Sequence, residues 1–322
     1  MQNPLESEEV AFRFVLGAIV YFVPIVVAAW IATWLGVIVF VGMSVLAFMA
    51  LRRGTVSPPA VVSTERAAVD DTPPGMTTWL DDPAAVAEEY ASEDALRQRV
   101  LAHRELVVGP DDEEIVRERI LEARPRRLLE VGSGLGELCG WARSHLDGDV
   151  VAVDSSQRMV ELAREAGVTG VLADMRALPF PDGSFDCAVA NFVLYHVADP
   201  ETAIAELARV LEPGGWLIAS TLSDDTSERR LAWARLFDEE PQPPPPPLSF
   251  SRENGRQLLL ERFHHVEQRD CDAELVFPTR DRLARYVASI PPMSDLGSRV
   301  PDLVGPFHLP QKTTVFHART PR

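Results

Sequence analysis

An α/β fold, a mostly parallel sheet with helices on both faces, is predicted by three observations. Short β-rich runs alternate with helical stretches from Arg127 to Thr221, a glycine-rich run follows the first strand, and acidic residues stand at the ends of the first three strands. Arg127 to Val131 (RLLEV) reads as strand one, with a helix from about Glu137 to Leu146. Val150 to Asp154 (VVAVD) is strand two, followed by a helix from about Gln157 to Ala166. Val171 to Ala173 is a short strand three, Phe185 to Asn191 (FDCAVAN) strand four, Pro200 to Leu211 a helix, and Trp216 to Thr221 strand five. Repeated βα units of this kind build a parallel sheet, and ligands bind at the carboxyl ends of its strands near the point where strand order reverses.

The first 53 residues carry a different signal. Phe14 to Leu51 is 38 residues long without an Asp, Glu, Lys, Arg or His. One straight helix of that length would span about 57 Å, far beyond a hydrocarbon core of about 30 Å, whereas two spans of about 18 residues fit. A helical hairpin is therefore expected, its turn near Thr33, Trp34, Leu35 and Gly36, with Trp30 and Trp34 at the membrane interface and Pro24 inside the first span. A cleaved signal peptide fits poorly, because the apolar run is too long and Glu6, Glu8 and Glu9 precede it. Arg52 and Arg53 at the exit favour a cytoplasmic side for both ends of the hairpin. This makes a multi-pass protein of the cytoplasmic membrane, held there through residues 12–51, its larger part facing the cytoplasm.

Residues 54–78 turn to Ser, Thr, Ala and Pro without periodicity and read as a linker. The division is thus a hairpin over 1–53, a flexible linker over 54–78, and a domain over 79–322. Pro241 to Pro247, with five consecutive prolines, is excluded from helix and central strand and reads as an exposed loop.

Composition excludes other classes. With 48 acidic against 31 basic residues and a net charge of −17, the chain lacks the cationic surface that sequence-independent nucleic-acid binding needs. Cys139, Cys187 and Cys271 are odd in number and scattered, so neither a disulfide framework nor a paired metal site is expected. His264 and His265 lack partner ligands at metal spacing and read as the start of a strand, and Arg124, Arg126 and Arg127 as a solvated basic face.

The run Glu130-Val131-Gly132-Ser133-Gly134-Leu135-Gly136 stands where a ligand is expected. Its glycines permit a sharp turn and close approach to a ligand. Counting Gly-x-Gly-x-x-Gly from Gly132 puts Glu137 where a dinucleotide fingerprint requires its third glycine, and a carboxylate there opposes a pyrophosphate. Glu130 suits an amino group or a sulfonium-bearing ligand instead. Asp154, closing strand two 24 residues after Glu130, is placed to accept from both ribose hydroxyls of a nucleoside, and Asp174 after strand three to accept from an adenine amino group, with the backbone N–H of Met175 beside it. Each aspartate, taken singly, is equally a helix or turn cap.

The segments LLEVGSGLG (Leu128 to Gly136), VAVDSSQRMVELAR (Val151 to Arg164), LADMRALPFPDGSFDCAVANFVLYHVADP (Leu172 to Pro200) and ARVLEPGGWLIAS (Ala208 to Ser220) together resemble the class I S-adenosylmethionine-dependent methyltransferases of the small-molecule, type 11-like kind. The resemblance covers about residues 110–220. It implies a Rossmann-like seven-stranded methyltransferase sheet with helices on both faces, preceded here by two transmembrane helices, with the last strand antiparallel. His265 to Val276 and Thr313 to Arg319 are the candidates for strands six and seven. By the same resemblance, Gly132, Ser133 and Gly134 line the methionine part of S-adenosylmethionine, with Glu130 near its amino group. Asp154 holds the ribose, Asp174 and Met175 the adenine, and Asn191 faces the methionine moiety or the acceptor. Met159 is a candidate to pack on the adenine, although a methionine on such a helix face is more often plain core. Pro213-Gly214-Gly215 reads as a turn.

Methyl transfer of this kind needs alignment and no metal. His196, after strand four, is the candidate general base for an un-ionised acceptor. The acceptor is expected to be a small molecule, and the hairpin points to a lipophilic or lipid one. A non-catalytic cofactor-binding or membrane scaffold protein is the alternative, and a nicotinamide-dependent dehydrogenase is disfavoured by the glycine spacing.

Overall fold

The computed structural model describes residues 80–322. The expected hairpin and linker, residues 14–51 and 54–78, lie outside them, and among the described residues no helix is long and apolar enough to cross a membrane.

In chain order the elements are α1 (Pro83–Glu89), α2 (Asp94–Leu106), β1 (Val107–Val108), α3 (Asp112–Ala123), β2 (Arg127–Val131), α4 (Glu137–His145), β3 (Asp149–Asp154), α5 (Gln157–Glu165), β4 (Thr169–Leu172) and β5 (Phe185–Asn191). A short 3-10 turn (Leu194–His196) leads to α6 (Pro200–Val210), β6 (Leu211–Leu222), α7 (Ser227–Phe237), α8 (Gly255–Leu260) and β7 (His265–Phe277). The chain closes with α9 (Arg280–Ala288), a 3-10 segment (Pro291–Arg299) and β8 (Phe307–Arg319). Helix starts follow local chemistry. Asp82 accepts from the Ala84 and Ala85 amides at 2.8 and 3.0 Å, and Asp199 accepts from Thr202 N at 3.1 Å. Pro83 and Pro200 occupy the first helical turn, where a missing N–H costs nothing.

The strands form one sheet in the order β1-β7-β8-β6-β5-β2-β3-β4. The pairs β2–β3, β2–β5, β3–β4 and β5–β6 are parallel, while β8 runs antiparallel to both β6 and β7. The seven expected strands are all present, and the sheet has eight. The added β1 is two residues long and pairs antiparallel with β7 through Val107 and Val108, too short to carry a sequence period. β8 also starts earlier than Thr313. Pro310 lies within it, opposite Glu274 of β7, at a position beyond the end of β6, so its missing N–H leaves no strand unpaired. The Pro213-Gly214-Gly215 turn bulges from β6. Leu211 pairs with Phe185 and Trp216 with Cys187, so Glu212 to Gly215 oppose a single residue, and Gly214 has φ +80°.

Period-two alternation sends successive residues of the central strands into two cores. Leu129, Val131, Ala188 and Leu217 pack with Ile204 and Leu207 of α6 on one face. Leu128, Cys187, Val189 and Ile218 pack with Val116 and Ile120 of α3 and Cys139 of α4 on the other. A third core joins α2, α9, β7 and β8 around Leu275, Phe277, Leu283 and Val287. All three cysteines are buried and serve as small apolar core residues. The Pro241 to Pro247 stretch has neither helix nor strand and is mostly exposed.

Leu129 is fully buried at the centre of the sheet. Leu129→Ala is expected to destabilise the domain by about 2–5 kcal/mol, read as a lower denaturant midpoint with unchanged slope.

Candidate active site

The site forms where β2, β3 and β5 end. Beyond Val131 the chain leaves β2 and leans on β3, the Gly132 amide donating to Val153 O at 2.8 Å and the Ser133 amide to the same oxygen at 3.3 Å. Gly132 has φ +67°, and a Cβ there would lie 2.3 Å from Val193 Cγ2. Only glycine fits between these two strand ends. The Gly134 amide donates to Asp154 Oδ2 at 3.1 Å, and the Ser156 amide donates to Asp154 Oδ1 at 2.9 Å. Asp154 therefore ties the glycine run to the start of α5. Burial raises its pKa against the opposing pull of these amides.

Two polar groups, one at the end of β2 and one in this loop, are buried without a partner. They are Glu130 Oε2 and Ser133 Oγ. Burial, with a contribution from the Asp154 carboxylate, pushes Glu130 up to about 8. Buried polar atoms are normally satisfied, and leaving one unpaired costs roughly 1–3 kcal/mol. An unpaired carboxylate oxygen and hydroxyl beside Asp154, at the carboxyl ends of two strands, suit a ligand that brings its own hydrogen-bonding groups.

A cavity of about 980 Å³ opens here. Glu130, Gly132, Ser133, Gly134, Asp154, Asp174, Met175, Asn191 and His196 all line it. Their environments differ. Both Asp174 oxygens already accept from Arg176, the Oδ2 contact at 2.6 Å, and that guanidinium holds the carboxyl below its usual range. The turn-cap role is therefore present, since Asp174 Oδ1 also accepts from the Arg176 amide at 2.8 Å. Met175 is half-buried against the core. Asn191 Oδ1 accepts from Ser220 Oγ. Met159 is fully buried on α5 and does not line the cavity, so its place is in the core.

His196 uses both ring nitrogens. Nδ1 donates to Leu80 O at 2.6 Å, which leaves Nε2 to accept from the Tyr90 hydroxyl at 2.9 Å. Burial, joined by the nearby Arg99 charge, pushes His196 down to about 4, and burial pushes Tyr90 up to about 12. Neither nitrogen is free to meet an acceptor, so a base role requires Tyr90 to move or to relay the proton.

Sequence reasoning missed several residues. Tyr90, Ser220 and Val193 shape the site through contacts 29 to 106 residues apart in the chain or through shape alone, and no local pattern marks them. Phe192, at φ +52°, turns the chain out of β5, its amide donating to Ser220 Oγ at 3.0 Å. At the cavity's edge His103 Nε2 lies 3.3 Å from Asp112 Oδ1 and 3.6 Å from Asp111 Oδ1. This is the one such His and carboxylate group among the described residues, and its spacing, eight and nine residues apart, has no motif character.

Residues 129–219 match the family model described as a methyltransferase domain. A malonyl-[acyl-carrier protein] O-methyltransferase of Halorhodospira halophila is 35% identical over 164 residues, covering 48% of this chain and 52% of that protein. A demethylmenaquinone methyltransferase of Renibacterium salmoninarum is 32% identical over 166 residues, covering 50% of this chain and 64% of that one. An uncharacterised 37.1 kDa protein of a Streptomyces fradiae transposon is 45% identical over 106 residues, covering 30% and 31%. The chain spans between 31% and 64% of the length of these relatives. Among solved structures, an N-methyltransferase of Bradyrhizobium japonicum in complex with S-adenosyl-L-homocysteine aligns with a TM-score of 0.44 at 17% identity, covering 74% of this chain and 98% of that one. Residues 129–219 are thus similar to a methyltransferase domain. The unpartnered Glu130 and Ser133 oxygens beside Asp154 suit the amino end and ribose diol of S-adenosylmethionine.

The Glu130 carboxyl gives this a pH signature. Its ordinary value is 4.5 and its folded value about 8, so between these the native state holds more protons than the unfolded chain and stability falls as pH rises. Melting of the ligand-free protein from pH 5 to 8.5 should show this fall, and Glu130→Gln should flatten it. A cationic amino group paired with Glu130 favours the carboxylate, so cofactor binding at pH 7 should release a proton, measured by calorimetry in buffers of different ionisation heat. Glu130→Gln should abolish that release.

Proposed function

We propose that this chain is a membrane-anchored methyltransferase that moves a methyl group from S-adenosylmethionine to a small, lipophilic acceptor. The observation that carries the reading is the pair of buried, unpartnered oxygens of Glu130 and Ser133 beside Asp154, on residues that line the same cavity as the apolar Trp233, Leu275 and Met293. When bound, S-adenosylmethionine supplies an electrophilic sulfonium methyl group for in-line displacement. The protein's part is alignment and exclusion of water. Glu130 receives the amino group, Asp154 the ribose hydroxyls on the lone pairs left open by the hydrogen bonds it accepts from Gly134 and Ser156, and Asp174 and Met175 border the adenine. Asn191, oriented by Ser220, faces the reacting end, and the Tyr90–His196 pair stands at the same cavity.

Leu275, Tyr286, Ile290, Met293 and Trp233, which belong to one apolar cluster, also line the cavity. An acceptor with an apolar body suits it. The names of the relatives, acting on a malonyl carrier-protein conjugate and on demethylmenaquinone, support the same reading. The uncharged run Phe14 to Leu51 and the exit pair Arg52-Arg53 support the anchor, with the enzyme domain on the cytoplasmic side where the cofactor is made.

Incubating the full chain with methyl-labelled cofactor and a membrane-lipid extract is expected to transfer label to an extractable acceptor. Asp154→Ala should weaken cofactor binding by about 10- to 150-fold, the loss of charge-assisted hydrogen bonds worth roughly 1.5–3 kcal/mol. Binding without transfer to any extract would favour a non-catalytic cofactor-binding or scaffold role. Reporter fusions after residue 35 and after Arg53 should report opposite sides of the membrane, and residue 80 on the outer side would overturn the topology.

A further inference from the structure

The cations that line the cavity divide unequally. Arg99 pairs with Glu89, Arg158 with Glu93 at 2.8 Å, Arg176 with Asp174 at 2.6 Å, and Lys312 with Asp225 at 2.8 Å. Arg229 alone among the described cavity-lining arginines and lysine has no carboxylate partner. Its Nη2 donates to the Tyr286 hydroxyl at 3.0 Å, a neutral acceptor. In a chain with 48 acidic and 31 basic residues, an arginine at a cavity wall without a carboxylate partner is not what composition predicts.

Its neighbours add a shape. Arg229 and Trp233 stand four apart on α7 and so share a face, and both line the cavity. Trp233 stacks on Phe307 with ring centroids 5.6 Å apart, and Tyr286 packs on Phe277 at 5.0 Å, which fixes both aromatic walls. The carboxylates nearest in the chain are engaged elsewhere, since Asp225 and Glu228 both accept from Lys312. Tyr286 holds the guanidinium by one nitrogen, leaving its remaining donors for a ligand.

We propose that the acceptor carries a carboxylate that seats on Arg229 and an aromatic or apolar body that lies against Trp233 and Tyr286. This deepens the methyltransferase reading and rests on it. Arginine meets a carboxylate with two parallel donors, and the apolar walls strengthen that contact by excluding water. Arg229 is then a binding residue for the acceptor, with no part in holding the cofactor.

The test uses the full chain saturated with S-adenosylhomocysteine and two probes of equal shape, indole-3-propionate and indole-3-propionamide, titrated by calorimetry. The carboxylate is expected to bind at least about tenfold more tightly than the amide. Arg229→Gln should remove that preference while leaving the affinities for the amide and for S-adenosylhomocysteine within about twofold, and Arg229→Lys should restore part of it. Retained S-adenosylhomocysteine binding shows that the variants are folded. Equal binding of the two probes, binding of neither, or a preference that survives Arg229→Gln overturns the proposal. Failure of the unaltered protein to bind S-adenosylhomocysteine overturns the methyltransferase reading itself.

Discussion

The site depends on one close approach, that of the Gly132 backbone between the ends of β3 and β5. The hydrogen bond from the Gly132 amide to Val153 O and the contact with Val193 hold the turn from two sides. A side chain at Gly132 would push Val193 away or lift the loop from β3. Lifting the loop would move Gly134 from Asp154 and so dissolve the link between the loop and α5. The ligand-facing surface is thus set by backbone placement, and the sheet beneath it, buried on both faces, supplies the rigidity.

Around that turn the protein carries unfavourable electrostatics. A buried carboxyl near a second carboxylate, and a buried hydroxyl without a partner, both reduce the stability of the ligand-free state. Such groups are tolerated where a ligand completes them. By contrast Asp174 is held by Arg176 at a more exposed position, and its pKa moves the other way. Two acidic residues that look alike in sequence therefore have opposite environments.

The N-terminal helices α1 and α2 line the cavity together with the strand ends. Leu80 and Tyr90 hold the His196 ring, Tyr90 O accepts from Ser156 Oγ at 2.7 Å, and Arg158 binds Glu93. These contacts link α1 and α2 to the turn before α5 and to the segment after β5. α2 is also seated in the third core through Ala102 and Leu106, whereas α1 buries no residue, so α1 resists local opening less than the sheet does.

The sequence by itself determined the strand and helix order of the core, because alternation of β-rich and 3.6-periodic runs is a local signal. Phe185 to Asn191 agrees residue for residue, and Arg127 to Val131 likewise. It also placed Glu130, Asp154 and the glycine run at strand ends, since position within a βα unit follows from chain order alone. Tertiary structure decided what local patterns do not contain. It brought Tyr90 to His196 across 106 residues, so that the histidine's basicity is spent in an internal pair. It buried Met159 in the core, opened the strand at Pro310 where no second neighbour needs its N–H, and left Arg229 without a carboxylate while pairing Arg99, Arg158, Arg176 and Lys312. Partner choice, burial and pKa depend on distances between residues far apart in the chain, and those exist only once the chain has folded.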